Sequence, residues 1–172
     1  MFNSLPPEVR DVIREFRTCE FTTLTKRGTP VTWPVSTRYL PEQGRFLLTT
    51  SIGFPQKAFH IRRNPRVSLL FSNPTASGLT KPPSVLIQGD ATAADTIVTS
   101  VNAVDGLREY WRDNIYRRQP ASSMISANPI MRKIMDWYYM RIIIYVTPRA
   151  MYWWPGGGTT QPALRIEADH VE

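Results

Sequence analysis

Thr49, Thr50 and Ser51 close an apolar run, and Gln56 and Lys57 follow across the turn Ile52-Gly53-Phe54-Pro55. Hydroxyls and an amide donate neutral hydrogen bonds to an oxyanion, and an ammonium adds a charge-assisted one. If Gln56 opens a helix, the first N–H groups of that helix lack intrahelical acceptors and its positive end faces the same place. The residues also read as a solvated helix start, and their chemistry alone leaves both readings open.

The usual reaction chemistry is sparse. The two histidines, His60 and His170, have no Ser, Cys or Asp partner at a catalytic spacing, and no metal-ligand pair, P-loop or dinucleotide fingerprint is present. The segment Pro155-Gly156-Gly157-Gly158-Thr159-Thr160 lacks the lysine of a P-loop. Cys19 has no second thiol and reads as a small apolar strand residue. A second unusual feature is Pro30-Val-Thr-Trp33-Pro34-Val35-Ser36-Thr-Arg38. Prolines four apart in a strand pattern place it at a sheet edge or make it irregular, which frees backbone groups for the polar rim of a planar ring or simply bends the sheet.

The elements that must position these groups follow from periodicity. Val9, Val12, Ile13 and Phe16 at helical spacing predict a short helix over 5–17, with Ser4 as a candidate cap. Three consecutive antiparallel strands are expected from Cys19 to Thr50, one of them spanning 30–40. A short helix over 55–64 and strands over 66–73 and 84–94 come next, separated by the Pro- and Gly-rich loop 74–83, which could border a site. Residues 95–138 read as a helical insertion in which Val98, Val101, Val104, Leu107, Tyr110 and Trp111 form one face, with a second helix near Asn128-Pro129. The apolar run Ile142–Val146 predicts a strand covered on both faces, and Pro148 separates it from a last strand ending at Trp154. The tail 155–172 reads as loop. Six to seven short antiparallel strands with peripheral helices make a mainly β chain, a small barrel in a single domain over 1–172.

Composition fits this. No apolar run reaches the roughly 18 residues of a membrane span, and the N-terminus has no secretory pattern, so a cytoplasmic location is expected. The net charge is +7. Its arginines and lysines are scattered along the chain rather than gathered in a basic run, which argues against nucleic acid.

The stretch Gly28–Phe71, with Thr-Thr-Ser, Pro-Gln-Lys and Asn-Pro-Arg-Val-Ser-Leu-Leu-Phe in order, followed by Val85-Leu-Ile-Gln-Gly-Asp-Ala-Thr, resembles the pyridoxamine 5′-phosphate oxidase-like split-barrel flavoproteins. That superfamily includes enzymes dependent on the deazaflavin coenzyme F420. The resemblance covers about 19–93 clearly and 140–157 more weakly. It implies a split β-barrel and an FMN cofactor, or F420 as the alternative. It also implies a homodimer whose interface completes the site, and hydride transfer between cofactor and a small organic substrate. A non-catalytic carrier of flavin, F420 or haem is the alternative function.

By the same resemblance, Thr49, Thr50, Ser51, Gln56 and Lys57 hold the cofactor phosphate, Trp33, Pro34, Val35 and Ser36 lie along the ring, and Ser84 reaches the cofactor. Trp153 or Trp154 could enter from the partner subunit. Arg38 matches a basic position that meets substrate phosphate. Tyr110, Trp111, Trp137, Tyr138 and Tyr139 could line the substrate side or pack a helix. Trp33 stands where a pyridoxamine phosphate oxidase has arginine, and the late arginines of that enzyme are missing after Trp153-Trp154-Pro-Gly-Gly-Gly, so vitamin B6 oxidation is not implied.

Overall fold

A computed structural model describes residues 5–117, 140–158 and 160–166. The strands are β1 (Cys19–Leu24), β2 (Pro30–Val35), β3 (Arg38–Leu40), β4 (Arg45–Ser51), β5 (Arg66–Phe71), β6 (Ser84–Val98), β7 (Arg141–Trp154) and β8 (Leu164–Ile166). All are antiparallel in one sheet of order β2-β1-β5-β6-β7-β4-β3, with β8 added to β7. Among the described residues the α-helices are α1 (Pro7–Glu15), α2 (Gln56–Arg63) and α3 (Leu107–Glu109), the last running on as a π-helical segment over Tyr110–Tyr116.

The segment expected as one strand over 30–40 is two strands, and they are the outermost of the path. Seven strands laid flat would span about 29 Å between edges, yet only Ser36 and Thr37 separate β2 from β3. Three peptide steps reach no more than about 11 Å. The sheet must therefore curl until its edges meet, and the mainly antiparallel, few-helix fold is of split-barrel type. Proline accounts for the placement of β2: Pro30 and Pro34 offer no N–H, and β2 pairs only with β1. Hydrogen bonds secure the crossing. Ser36 Oγ donates to the Arg17 carbonyl at 2.9 Å, Tyr110 Oη donates to the Ser36 carbonyl at 3.3 Å, and Asn114 Nδ2 donates to the Thr37 carbonyl at 2.8 Å.

The barrel is filled by Phe21, Phe46, Leu48, Leu69, Phe71, Val85, Ile87, Ile144, Val146 and Met151, and α1 closes it with Val9, Val12, Ile13 and Phe16. A second cluster on the other sheet face joins Leu40, Leu47 and Ile143 to Leu107, Tyr110, Trp111 and Ile115. The expectation for Ile142–Val146 holds, since Ile144 and Val146 enter the barrel while Ile143 joins the second cluster. Phe21 and Phe46 are wholly buried, each contributing about 1.5–3 kcal/mol.

Several boundaries differ from expectation. β6 extends to Val98, so residues 95–98, expected as helix, are strand. The ladder to β7 outweighs the threefold valine spacing, after a register shift between Ala93 and Ile97. Helix begins only at Leu107. Pro148 does not end a strand: β7 continues through it with a second register shift opposite Gln88 and Gly89, the irregularity at which a ladder tolerates proline. A Cβ on Gly89 would overlap the Thr147 carbonyl, so glycine permits this close approach. In the tail expected as loop, Leu164–Ile166 forms β8. Ser4, the helix near Asn128-Pro129, Trp137, Tyr138, Tyr139 and His170 lie outside the described residues.

Candidate functional site

β4 delivers Thr49, Thr50 and Ser51 to the start of α2, and β7, antiparallel to β4, brings Arg141 opposite Ser51. All four residues are buried. Arg141 Nε donates to Thr49 Oγ1 at 3.0 Å, and its guanidinium lies 5.3 Å from the centre of the Trp111 ring. Trp111 reaches it from the π-helical segment. Sequence reading missed Arg141, whose available signal was a cation opening an otherwise apolar strand.

Lys57 occupies the first turn of α2, half-buried, with Nζ 5.0 Å from the centre of the Trp33 ring. Burial, and then the charge of Arg141, hold its pKa below the ordinary lysine range. The two cations are thus kept close enough to repel, an arrangement that a bound anion would relieve. α2 has no side-chain cap, and its first i→i−4 bond runs from Phe59 N to the Pro55 carbonyl. The N–H groups of Gln56, Lys57 and Ala58 precede that bond. The Gln56 side chain is exposed.

The three hydroxyls are not equivalent. Thr50 Oγ1 donates to the Phe54 carbonyl at 2.8 Å, and Ser51 Oγ accepts from Gly53 N at 3.2 Å. These bonds hold the turn between β4 and α2. Thr49 accepts from Arg141 and keeps its own proton to donate. A donor set of one ammonium, one guanidinium, a threonine hydroxyl and a helix start fits a phosphate group, with Thr50 and Ser51 shaping the turn.

Of the expected ring-side residues, Trp33, Pro34 and Val35 lie on the edge strand β2, and Trp33 stands beside Lys57. Trp33 packs on His60, ring centres 5.6 Å apart, while His60 Nδ1 and Thr23 Oγ1 share a hydrogen bond of 2.9 Å. Trp33 and Val35 are half-buried, Pro34 is exposed and Ser36 is buried in the crossing. Ser84 is not brought to Lys57 along the ladder. It pairs with Trp154, at the opposite end of β7 from Arg141, and 14 residues of strand at about 3.3 Å each span on the order of 40 Å along the chain. Trp153 is paired with Val85 at that same far end. Arg38 meets Asp113 at 3.3 Å and lines a cavity, away from Lys57, that Ala76 of the 74–83 loop also borders. Tyr110 and Trp111 pack in the second core cluster as well as meeting Ser36 and Arg141. Cys19 is buried in β1, and burial pushes its thiol up to about 12. Among the described residues no cluster of three metal-ligating side chains occurs, and no helix is long and apolar enough to cross a membrane.

Comparison with known proteins agrees with this architecture. A conserved hypothetical protein from Mycobacterium tuberculosis is 20% identical over 96% of this chain and 94% of its own, with a TM-score of 0.57. General stress protein 26 from Bacillus anthracis is 14% identical over 92% of this chain and 95% of its own, at 0.55. HutZ, the haem storage protein of Vibrio cholerae, is 13% identical over 86% of this chain and 92% of its own, at 0.54. At these identities the likeness is one of fold. No curated protein sequence matches the chain. The pyridoxamine 5′-phosphate oxidase family model matches residues 5–141, from α1 through the hydroxyl-bearing end of β4 and the start of α2 to Arg141 itself, and the chain belongs to that family of split-barrel proteins.

Proposed function

We propose that the protein is an oxidoreductase that binds FMN, or alternatively F420, and passes hydride between it and a small organic substrate. The observation that carries this reading is the Lys57–Arg141 pair beside Thr49 at the start of α2, in a family whose members typically bind flavin. The bound cofactor supplies the hydride chemistry, which suits a chain with few acid–base groups at the site. Lys57, Arg141, the Thr49 hydroxyl and the first N–H groups of α2 hold its phosphate. Thr50 and Ser51 fix the turn, Gln56 offers its amide from the exposed rim, and Trp33, Pro34, Val35 and Ser36 border the ring. Ser84, Trp153 and Trp154, at the far end of β6 and β7, contribute from the second copy of a homodimer. Titration with FMN, riboflavin and F420, followed by absorbance during reduction and reoxidation, tests the reading. Saturable binding of FMN or F420 with reversible bleaching is expected. Absence of binding by both refutes it.

A carrier of haem is the second reading, favoured by one observation. The Thr23 hydrogen bond fixes the His60 ring through Nδ1, the arrangement that orients a ligating imidazole to use its other nitrogen. Haem titration distinguishes the two: unchanged haem affinity and Soret band in His60→Ala eliminate this version.

A further inference from the structure

A cavity of about 940 Å³ lies between α1, β3 and the π-helical segment, and neither Lys57 nor Arg141 lines it. Small-molecule sites occupy about 300–1,000 Å³. Its wall carries Arg10, Arg14, Arg17, Arg38, Arg112 and Arg117. These arginines come from three stretches separated in sequence, 10–17, 38 and 112–117, which is why the chain shows no basic run. Glu15 and Asp113 are the only carboxylates lining it among the described residues, so the wall keeps a surplus of four positive charges.

The pairing within the wall is uneven. Arg14 meets Asp11 and Glu15, while Arg38 and Arg112 share Asp113. Arg10, Arg17 and Arg117 have no ion pair among the described residues. Asn114, also in the wall and buried, donates to the Thr37 carbonyl but leaves its own Oδ1 without a hydrogen-bond partner. A buried acceptor left unmade is costly, and a hydroxyl or N–H arriving from the cavity would satisfy it after a small side-chain adjustment.

We propose that this cavity binds a compact small molecule bearing three or more negative charges and a hydroxyl or N–H donor, held by the unpaired arginines on both sides and by Asn114. Guanidinium forks pair bidentately with carboxylate and phosphate alike, so both chemistries fit. A concave wall of this volume favours a compact ligand over an extended polyanion.

Isothermal titration of the full chain with citrate, tricarballylate and inorganic triphosphate tests the site. Citrate or triphosphate binds saturably at one site beyond the Lys57 cradle, so that this binding survives Lys57→Met. Whichever is tighter identifies carboxylate or phosphate as the natural group. Arg17→Gln and Arg117→Gln each weaken it by about tenfold, the loss of one charge-assisted bond, whereas Arg27→Gln, in the exposed β1–β2 turn, does not. Citrate, which adds a hydroxyl to the tricarballylate skeleton, binds about fivefold tighter through Asn114. Absence of saturable binding by citrate and triphosphate overturns the proposal, as does equal weakening in Arg27→Gln, loss of all binding in Lys57→Met, or binding of a single-stranded oligonucleotide in place of both probes. Equal affinity for citrate and tricarballylate overturns the role of Asn114.

Discussion

Replacing Lys57 by methionine removes the ammonium while keeping most of the apolar stem that packs near Trp33. A hydrogen bond to a charged group contributes about 1.5–3 kcal/mol, which at 1.4 kcal/mol per decade is roughly a 10- to 150-fold rise in Kd for FMN. Riboflavin has no phosphate, and its affinity should not change. The ligand-free protein behaves differently. Burial and the neighbouring Arg141 make the Lys57 charge unfavourable, while its position 5.0 Å from the Trp33 ring returns about 0.5–1 kcal/mol. These effects oppose each other, so the melting temperature of the empty variant stays level or rises, although ligand binding is impaired. Fluorescence titration with the two flavins and thermal unfolding without ligand measure both halves. Parallel weakening of riboflavin and FMN refutes the phosphate role. A fall in Tm beyond about 4 °C, equivalent to 1–2 kcal/mol in a chain of this size, refutes the account of an electrostatically strained empty site.

Other consequences can be measured separately. Because the empty fold binds the Lys57 proton less tightly than the unfolded chain does, stability should rise with pH between the lowered value and the ordinary 10.5; urea unfolding across that interval should show the rise, and Lys57→Met should flatten it. Arg141→Met leaves Thr49 without its donor in a buried place and should cost about 1–3 kcal/mol, seen as a lower denaturation midpoint together with loss of FMN over riboflavin preference. Gly89→Ala forces a methyl group onto the Thr147 carbonyl and should destabilise by about 1–3 kcal/mol, with phosphate affinity preserved since Lys57 and Arg141 are untouched. Cys19, buried and pushed up to about 12, should react with a thiol reagent at neutral pH only as fast as the protein unfolds, which mass spectrometry of timed alkylation reads directly.

The turn proposed to hold phosphate was legible because its parts are local. A hydroxyl-rich strand end, a Gly-Phe-Pro turn and a lysine in the first helical turn sit within nine residues, Thr49–Lys57, and the turn is held by its own hydrogen bonds. Arg141 was not legible, since it meets Thr49 only through the β4–β7 register, a long-range pairing that no local pattern encodes. The Ser36-Thr37 crossing was missed for a related reason. It contains neither glycine nor proline, and its partners come from Arg17, Tyr110 and Asn114. Residues 95–98 show tertiary pairing overriding local spacing, and the arginine-lined cavity shows charge that looks diffuse along the chain becoming concentrated in the fold.

The long β6–β7 ladder ends at the pair Val98 and Arg141, so the chain between these strands departs and returns beside a cation of the proposed anion seat. Loop-closure entropy grows only logarithmically, about 0.6 kcal/mol for each doubling of length. Descendants of this protein could therefore change the length of that connection outside Leu107–Tyr116, which packs in the second core cluster, at little thermodynamic expense while β4 and β7 keep Thr49 and Arg141 in register. Such an arrangement separates two evolutionary rates: the proposed anion seat is held by strand pairing, while the length of the connection beside it is free to diverge.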